Sequence, residues 1–186
     1  MIALLESAVL NDIQVRRATV ADAIALALLA RITFAETFEP HFTNKQGLLE
    51  HYEATFAVRK IGHDLQDPNN VFWIATHNHL PVGYVKLKKQ AAPEAQLQGR
   101  CSQLEKIYVL KDYLSKGVGH QLQTALFEEL QVLQTDNVWL YVWEQNSRAI
   151  SFYQKHGFRV VNSNYATVGQ DRFRFLTMAK RLYYIY

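Results

Sequence analysis

Two glycines, Gly117 and Gly119, stand where a β-branched run hands over to an amphipathic one, in "KIYVLKDYLSKGVGHQL" from Lys106 to Leu122. The first amides of a helix have no partner within it, and the helix dipole places partial positive charge there. Glycines at such a turn let an anion reach those donors without meeting a side chain, and Lys116 adds a formal charge. Lys116, Gly117, Val118, Gly119 and His120 are therefore a candidate phosphate cradle. Ordinary turn chemistry also uses Gly-x-Gly. A dinucleotide fingerprint is excluded because its third glycine would fall on Leu122, and a P-loop because no Gly-Lys-Ser/Thr follows.

A second chemical stretch is "VWEQNSRAISFYQKHGF", Val142 to Phe158. Asn146 suits a helix cap and Gly157 a helix stop, which predicts a helix of about 10 residues. Asn146 and Tyr153 then share one face, roughly 10 Å apart along it, with the small Ala149 between them. A polar cap, a small residue and a phenol on one face line a groove, although Tyr153 alone also suits a core position with a satisfied hydroxyl.

The elements around these stretches follow from periodicity. Ile13–Thr19 alternates as a first strand, and a helix over 20–38 follows, with Thr19 as cap and Asp22 in the first turn. Helices are predicted over Gln46–Phe56 and Val58–Leu65. "VFWIAT" and "VGYVKLKK" flank "HNHLP" as a hairpin, and "SQLEKIYVL" is the next strand. Helix Gly117–Leu133, strand "NVWLYVW", helix Asn146–His156 and strands "FRVVNSNY" and "FRFLTMAKRL" complete the order. Hairpins mixed with βα crossovers give an α/β (α+β) class: one domain over residues 1–186, with a mixed, mostly antiparallel sheet of about seven strands and helices on both faces.

The 186 residues carry a net charge of +3, too mild to imply nucleic-acid binding by itself. Six acids against four bases make the segment Arg31–Asp67 acidic, and the remainder is correspondingly basic. That division suits one anionic and one cationic substrate, and equally suits solvated helix faces. Cys101 is the only cysteine, so neither a disulfide framework nor a thiolate metal cage is expected. The opening "MIALLESAVL" lacks a basic leader region and no apolar run reaches spanning length, so a cytoplasmic protein with no membrane segment is expected. His77 and His79 have ligand-like spacing without an evident third ligand, so no metal is expected. The aromatic tail "LYYIY" hints at a homodimer contact.

Together, the two chemical stretches resemble the GNAT superfamily of acyl-CoA-dependent N-acyltransferases. Its later motif, Asn-x-x-Ala-x-x-Phe-Tyr-x-x-x-Gly-Phe, is complete here in Asn146, Ala149, Phe152, Tyr153, Gly157 and Phe158. Its earlier one, Gln/Arg-x-x-Gly-x-Gly/Ala, departs at Leu114, which removes a side-chain contact to the pyrophosphate and leaves the backbone donors. A narrower resemblance, in "ITFAETF", "LEKIYVLKDYLSKGVG" and "FLTMAKRL", is to bacterial Pai-type spermidine/spermine acetyltransferases.

The resemblance implies acetyl-CoA as co-substrate, a primary amine as acceptor, and a fourth strand splayed from the fifth. Backbone groups of Ile107, Tyr108 and Val109 would bond the pantetheine arm, the Val109 amide would polarise the thioester, and Asn146 would touch the arm. Tyr153 would be the general acid for the departing thiolate. Glu105, on the face of Ile107 and Val109 by strand alternation, would be the base through water. The acceptor would lie near Phe34, Glu36, Phe38 and Glu39, where glutamates suit a polyamine. An amino-terminal, lysine or other small-amine acceptor, or a regulator that binds acyl-CoA without turnover, are the alternatives.

Overall fold

A computed structural model describes residues 12–93 and 97–184. Seven strands form one sheet: β1 (Ile13–Arg17), β2 (Asn70–His77), β3 (Leu80–Lys88), β4 (Cys101–Val109), β5 (Asn137–Trp143), β6 (Arg159–Val168) and β7 (Asp171–Arg181). Five α-helices accompany them among the described residues: α1 (Ala23–Phe38), α2 (Lys45–Phe56), α3 (Val58–Gln66), α4 (Val118–Val132) and α5 (Ser147–Lys155). The spatial order is β1-β2-β3-β4-β5-β7-β6, antiparallel throughout except between β4 and β5. The α/β class with helices on both faces is as the sequence predicted. The β2–β3 turn is of the mirror-image type that matches strand twist, since Asn78 and His79 have φ of 49° and 65°.

Each face of the sheet has its own apolar layer. Val118, Leu122, Leu126 and Leu130 recur every fourth residue of α4 and are almost fully buried against β2–β5, with Tyr153 and Phe158. Truncating any of these leucines to alanine would cost about 2–5 kcal/mol. On the other face α1–α3 pack an aromatic layer, Phe34, Phe38, Phe56, Phe72, Tyr84, Trp143 and Phe173. A helix apolar all round is expected to be covered all round, yet α1 leaves Ile24 and Leu28 71% and 60% exposed.

A clasp closes the far end of this second face. The Asp171 carboxylate accepts the Thr43 amide at 3.2 Å, and Asn44 Nδ2 donates to Gln170 Oε1 at 2.7 Å. Gly169 has φ of 61°, and a Cβ there would fall 2.7 Å from the Gly47 carbonyl oxygen, so glycine is required where the β6–β7 turn meets α2. At the C-terminus, the Tyr184 hydroxyl donates to the carbonyls of Leu130 and Thr135 at 2.9 and 2.8 Å, so the aromatic tail is partly folded back on its own chain. The last two tail residues lie outside the described ones, as does the opening stretch 1–11.

Candidate active site

Among the described residues β4 and β5 are the only parallel neighbours, and they pair only from Cys101–Asn137 to Gln103–Trp139. Beyond Gln103 the strands diverge, while β4 continues to pair with β3 up to Gly83–Val109. Backbone groups of Ile107, Tyr108 and Val109 that face β5 therefore have no strand partner inside the sheet. Unpaired backbone within a folded core calls for a partner, and an extended amide-bearing chain would supply one.

The chain then reaches the glycine turn. Gly117 caps α4 in the left-handed region, φ 77°, with no side chain capping the helix amides. Lys116 N–H bonds Tyr113 O and Gln121 N–H bonds Gly117 O, at 3.4 and 3.0 Å, which leaves the Val118, Gly119 and His120 amides as outward donors. A Cβ on Gly119 would make only ordinary contacts, 3.8 Å to Phe152 and 4.0 Å to Val109, so a small side chain fits there without strain. The Lys116 ammonium sits 5.1 Å from the Tyr113 ring centre, and Tyr113 bonds His77 Nδ1 at 3.0 Å. His77 is thus paired with a phenol, and no cluster of three potential metal ligands occurs among the described residues.

Arg148 was not anticipated as part of this site. Its guanidinium donates to Ser115 Oγ at 2.9 Å, which holds a cation at the loop where Leu114 supplies none. The signal was its place in the first turn of α5, one helix away from the glycines in sequence.

Asn146 caps α5, its Oδ1 accepting the Ala149 amide at 3.1 Å. Tyr153, two turns on, is buried at 7% exposure, yet its hydroxyl has no hydrogen-bond partner among the described residues. Burial raises its pKa well above the usual phenol value, and the nearby Tyr108 phenol adds to the rise. Burial likewise pushes Tyr108 up to about 12. Both phenols hold their protons at neutral pH.

Glu105 needs a correction of face. Strand alternation puts it with Ile107 and Val109, but a bulge intervenes: Lys86 pairs with Lys106 and Leu87 with Leu104, so Glu105 is the extra residue. Its carboxylate turns to the α1–α3 face, where Oε1 accepts Lys86 Nζ at 2.9 Å. There it borders a cavity of about 300 Å³ lined also by Phe72, Tyr84, Lys86 and Lys106. Burial lowers the Lys106 pKa, and the ammonium lies 5.6 Å from the Phe56 ring centre.

The four acceptor-side residues separate. Phe34 and Phe38 stack at 4.6 Å and are buried at 8% and 7%, so they are walls of the aromatic layer, not exposed groove. Glu36 is engaged, its Oε2 accepting the Lys111 amide at 3.0 Å just after β4. Glu39 is exposed at the turn that follows α1.

The sequence model of the Acetyltransferase (GNAT) family matches residues 29–158, which contain the splayed strands, the glycine turn and α5. The chain belongs to the GNAT family. It is an acetyl-CoA-dependent N-acetyltransferase, and the open β4 edge and uncapped α4 amides fit that co-substrate. Among GNAT relatives, an uncharacterized N-acetyltransferase of Lactobacillus delbrueckii subsp. lactis is 27% identical over 144 residues, covering 77% of this chain and 83% of its own. A spermidine N(1)-acetyltransferase of Thermoplasma acidophilum is 23% identical over 159 residues, 82% and 92% of the two chains. The crystal structure of PaiA N-acetyltransferase from Thermoplasma acidophilum in complex with coenzyme A shares the fold, with TM-score 0.73, 20% identity, and coverage of 91% and 99%. No helix among the described residues is long and apolar enough to cross a membrane.

Proposed function

We propose that the protein acetylates a primary amine by direct attack, and that the amine is a polyamine such as spermidine or spermine. Acetyl-CoA supplies the activated acyl group and the thiol leaving group. The Val118, Gly119 and His120 amides, with Lys116 and Arg148, face its pyrophosphate, and Ile107, Tyr108 and Val109 offer backbone groups to its arm beside Asn146. Tyr153, its hydroxyl unpartnered and its proton firmly held, donates to the sulfur as the carbon–sulfur bond breaks. Glu105 takes the acceptor's proton through water from the opposite face, so the amine lone pair is free to form the new carbon–nitrogen bond.

The observation that most supports the transfer is the unpaired stretch of β4 beyond Gln103, with an unpartnered phenol on the helix that follows β5. The polyamine rests on the Thermoplasma relative and on the exposed Glu39 and Glu50. A second reading, another small amine or a protein amino group, is favoured by the cavity beside Glu105, where Lys60, Lys86, Lys88 and Lys106 outnumber the carboxylates of Asp64, Asp67 and Glu105 and leave no net attraction for a polycation. Steady-state assays with acetyl-CoA against polyamines, amino acids and peptides separate the two. The polyamine reading requires spermidine or spermine to give the highest kcat/KM, and a flat profile or a peptide preference removes it. We also read the protein as cytoplasmic and as pairing with a second copy through its C-terminal aromatics, of which Tyr183 is 80% exposed.

A further inference from the structure

Lys86 is buried to 4% exposure two residues before the end of β3, where a lone ammonium would be costly. It is held by two carboxylates, Asp64 Oδ2 at 3.0 Å from α3 and Glu105 Oε1 at 2.9 Å from the β4 bulge. The two carboxylates differ in their other contacts. Asp64 has a second cation, Lys60, on its own helix. Besides Lys86, Glu105 has among the described residues only the more distant Lys106, at 4.0 Å, and its side chain keeps 25% exposure on the cavity. Lys86 therefore fixes Glu105 from one side and leaves the other open to water.

We propose that Lys86 is a positioning residue for the acetyl transfer, orienting the Glu105 carboxylate over the cavity so that water there can carry away the acceptor's proton. This rests on the reading of Glu105 as base. The bulge supplies the geometry, because it turns Glu105 onto the side of the sheet where Lys86 lies. The cavity supplies the room, about 300 Å³, with a fully buried Tyr84 hydroxyl and Asn70 Oδ1 lacking partners in its wall, as sites for ordered water. The charged and titratable groups facing Glu105 are Lys86 and Tyr84 from β3, Lys106 from its own strand, and Asp64 and Lys60 from α3. Lys88 and Asp67 stand further along the same cavity.

The test uses the pH dependence of kcat/KM with acetyl-CoA and the best amine of the panel, alongside thermal melting. Lys86→Met should lower kcat about 10-fold and move the acidic limb up by roughly one pH unit, because a carboxylate without its cation takes a proton more readily. The KM for acetyl-CoA should hold, and Lys86→Arg should restore most of the rate. Asp64→Asn should move the limb the opposite way, since Lys86 then serves Glu105 alone. A purely structural Lys86 lowers the melting temperature and leaves the limb in place, which overturns the proposal; so do two shifts of the same sign. If Lys86→Met does not fold, Asp64→Asn decides, and an unmoved or raised limb overturns the assignment. Glu105→Gln separates the two levels: a wild-type profile there removes the base itself. A lost limb with Lys86→Met unmoved removes only Lys86.

Discussion

Gln103 and Trp139 are the last residues at which β4 and β5 meet in register. The candidate site lies beyond that pair: the bulge, the β4 edge that faces β5 without pairing, the glycine turn and α5. A sheet that opens by losing one parallel ladder halfway retains the ladders on either side, β3–β4 and β5–β7, so the gap is bordered by rigid walls.

Replacing Tyr153 with phenylalanine keeps the ring packed against Phe152 and Phe158 and removes only the hydroxyl. The kcat should fall about 100-fold with little change in melting temperature. The protonated phenols also predict that wild-type kcat does not decline through loss of this acid up to about pH 10. A basic limb near neutrality that vanishes in Tyr153→Phe would contradict this.

The two glycines should respond differently. Gly117 has φ of 77°, so Gly117→Ala should lower stability by about 1–2 kcal/mol as well as weaken coenzyme binding. Gly119→Val has space for its Cβ, so the fold should melt near the wild-type temperature while calorimetry shows coenzyme A binding at least 10-fold weaker. Undiminished binding to Gly119→Val would mean that phosphate does not approach these amides.

Acid should act on the entry to α1. The Arg16 guanidinium, aided by the Thr19 amide, holds the Asp22 carboxyl at about 2, below its usual 3.8. The folded value is the lower one, so this stabilisation is complete above about pH 4 and fades as pH falls through 2. With Arg16 largely in solvent it amounts to about 1 kcal/mol. The melting difference between wild type and Asp22→Ala should accordingly shrink from pH 5 to pH 2.

Asp171→Ala opens the clasp to Thr43 and Asn44 without touching the coenzyme side. The KM for the amine should rise roughly 3–10-fold while that for acetyl-CoA stays constant. Equal changes in both would show that the clasp acts on the whole fold.

Most of the architecture was legible because period-2 and period-3.6 patterns are local. β5 and the helices α2–α5 fall within a residue or so of their expected bounds. The left-handed turn at Gly117 and the Asn146 cap were legible for the same reason, since each acts over a few positions. Glu105 was misplaced because a bulge depends on which residues of β3 sit opposite, and no property of "LEKIYV" announces it. Phe34 and Phe38 were expected beside the acceptor, but Phe38 is covered by Trp143 and Phe173, more than a hundred positions away, and Phe34 by the rings of Tyr52 and Phe56 on α2. Nothing in "VGYVKLKK" marks Lys86, because its partners Asp64 and Glu105 reach it only through α3 and the β4 bulge.

The contact of Gly169 with Gly47 joins the outer hairpin to the helical layer like the keystone of an arch. With hydrogens alone between the two backbones, the joint has no side chain to compress or rotate, so the hairpin and the helix can part only by moving as whole pieces.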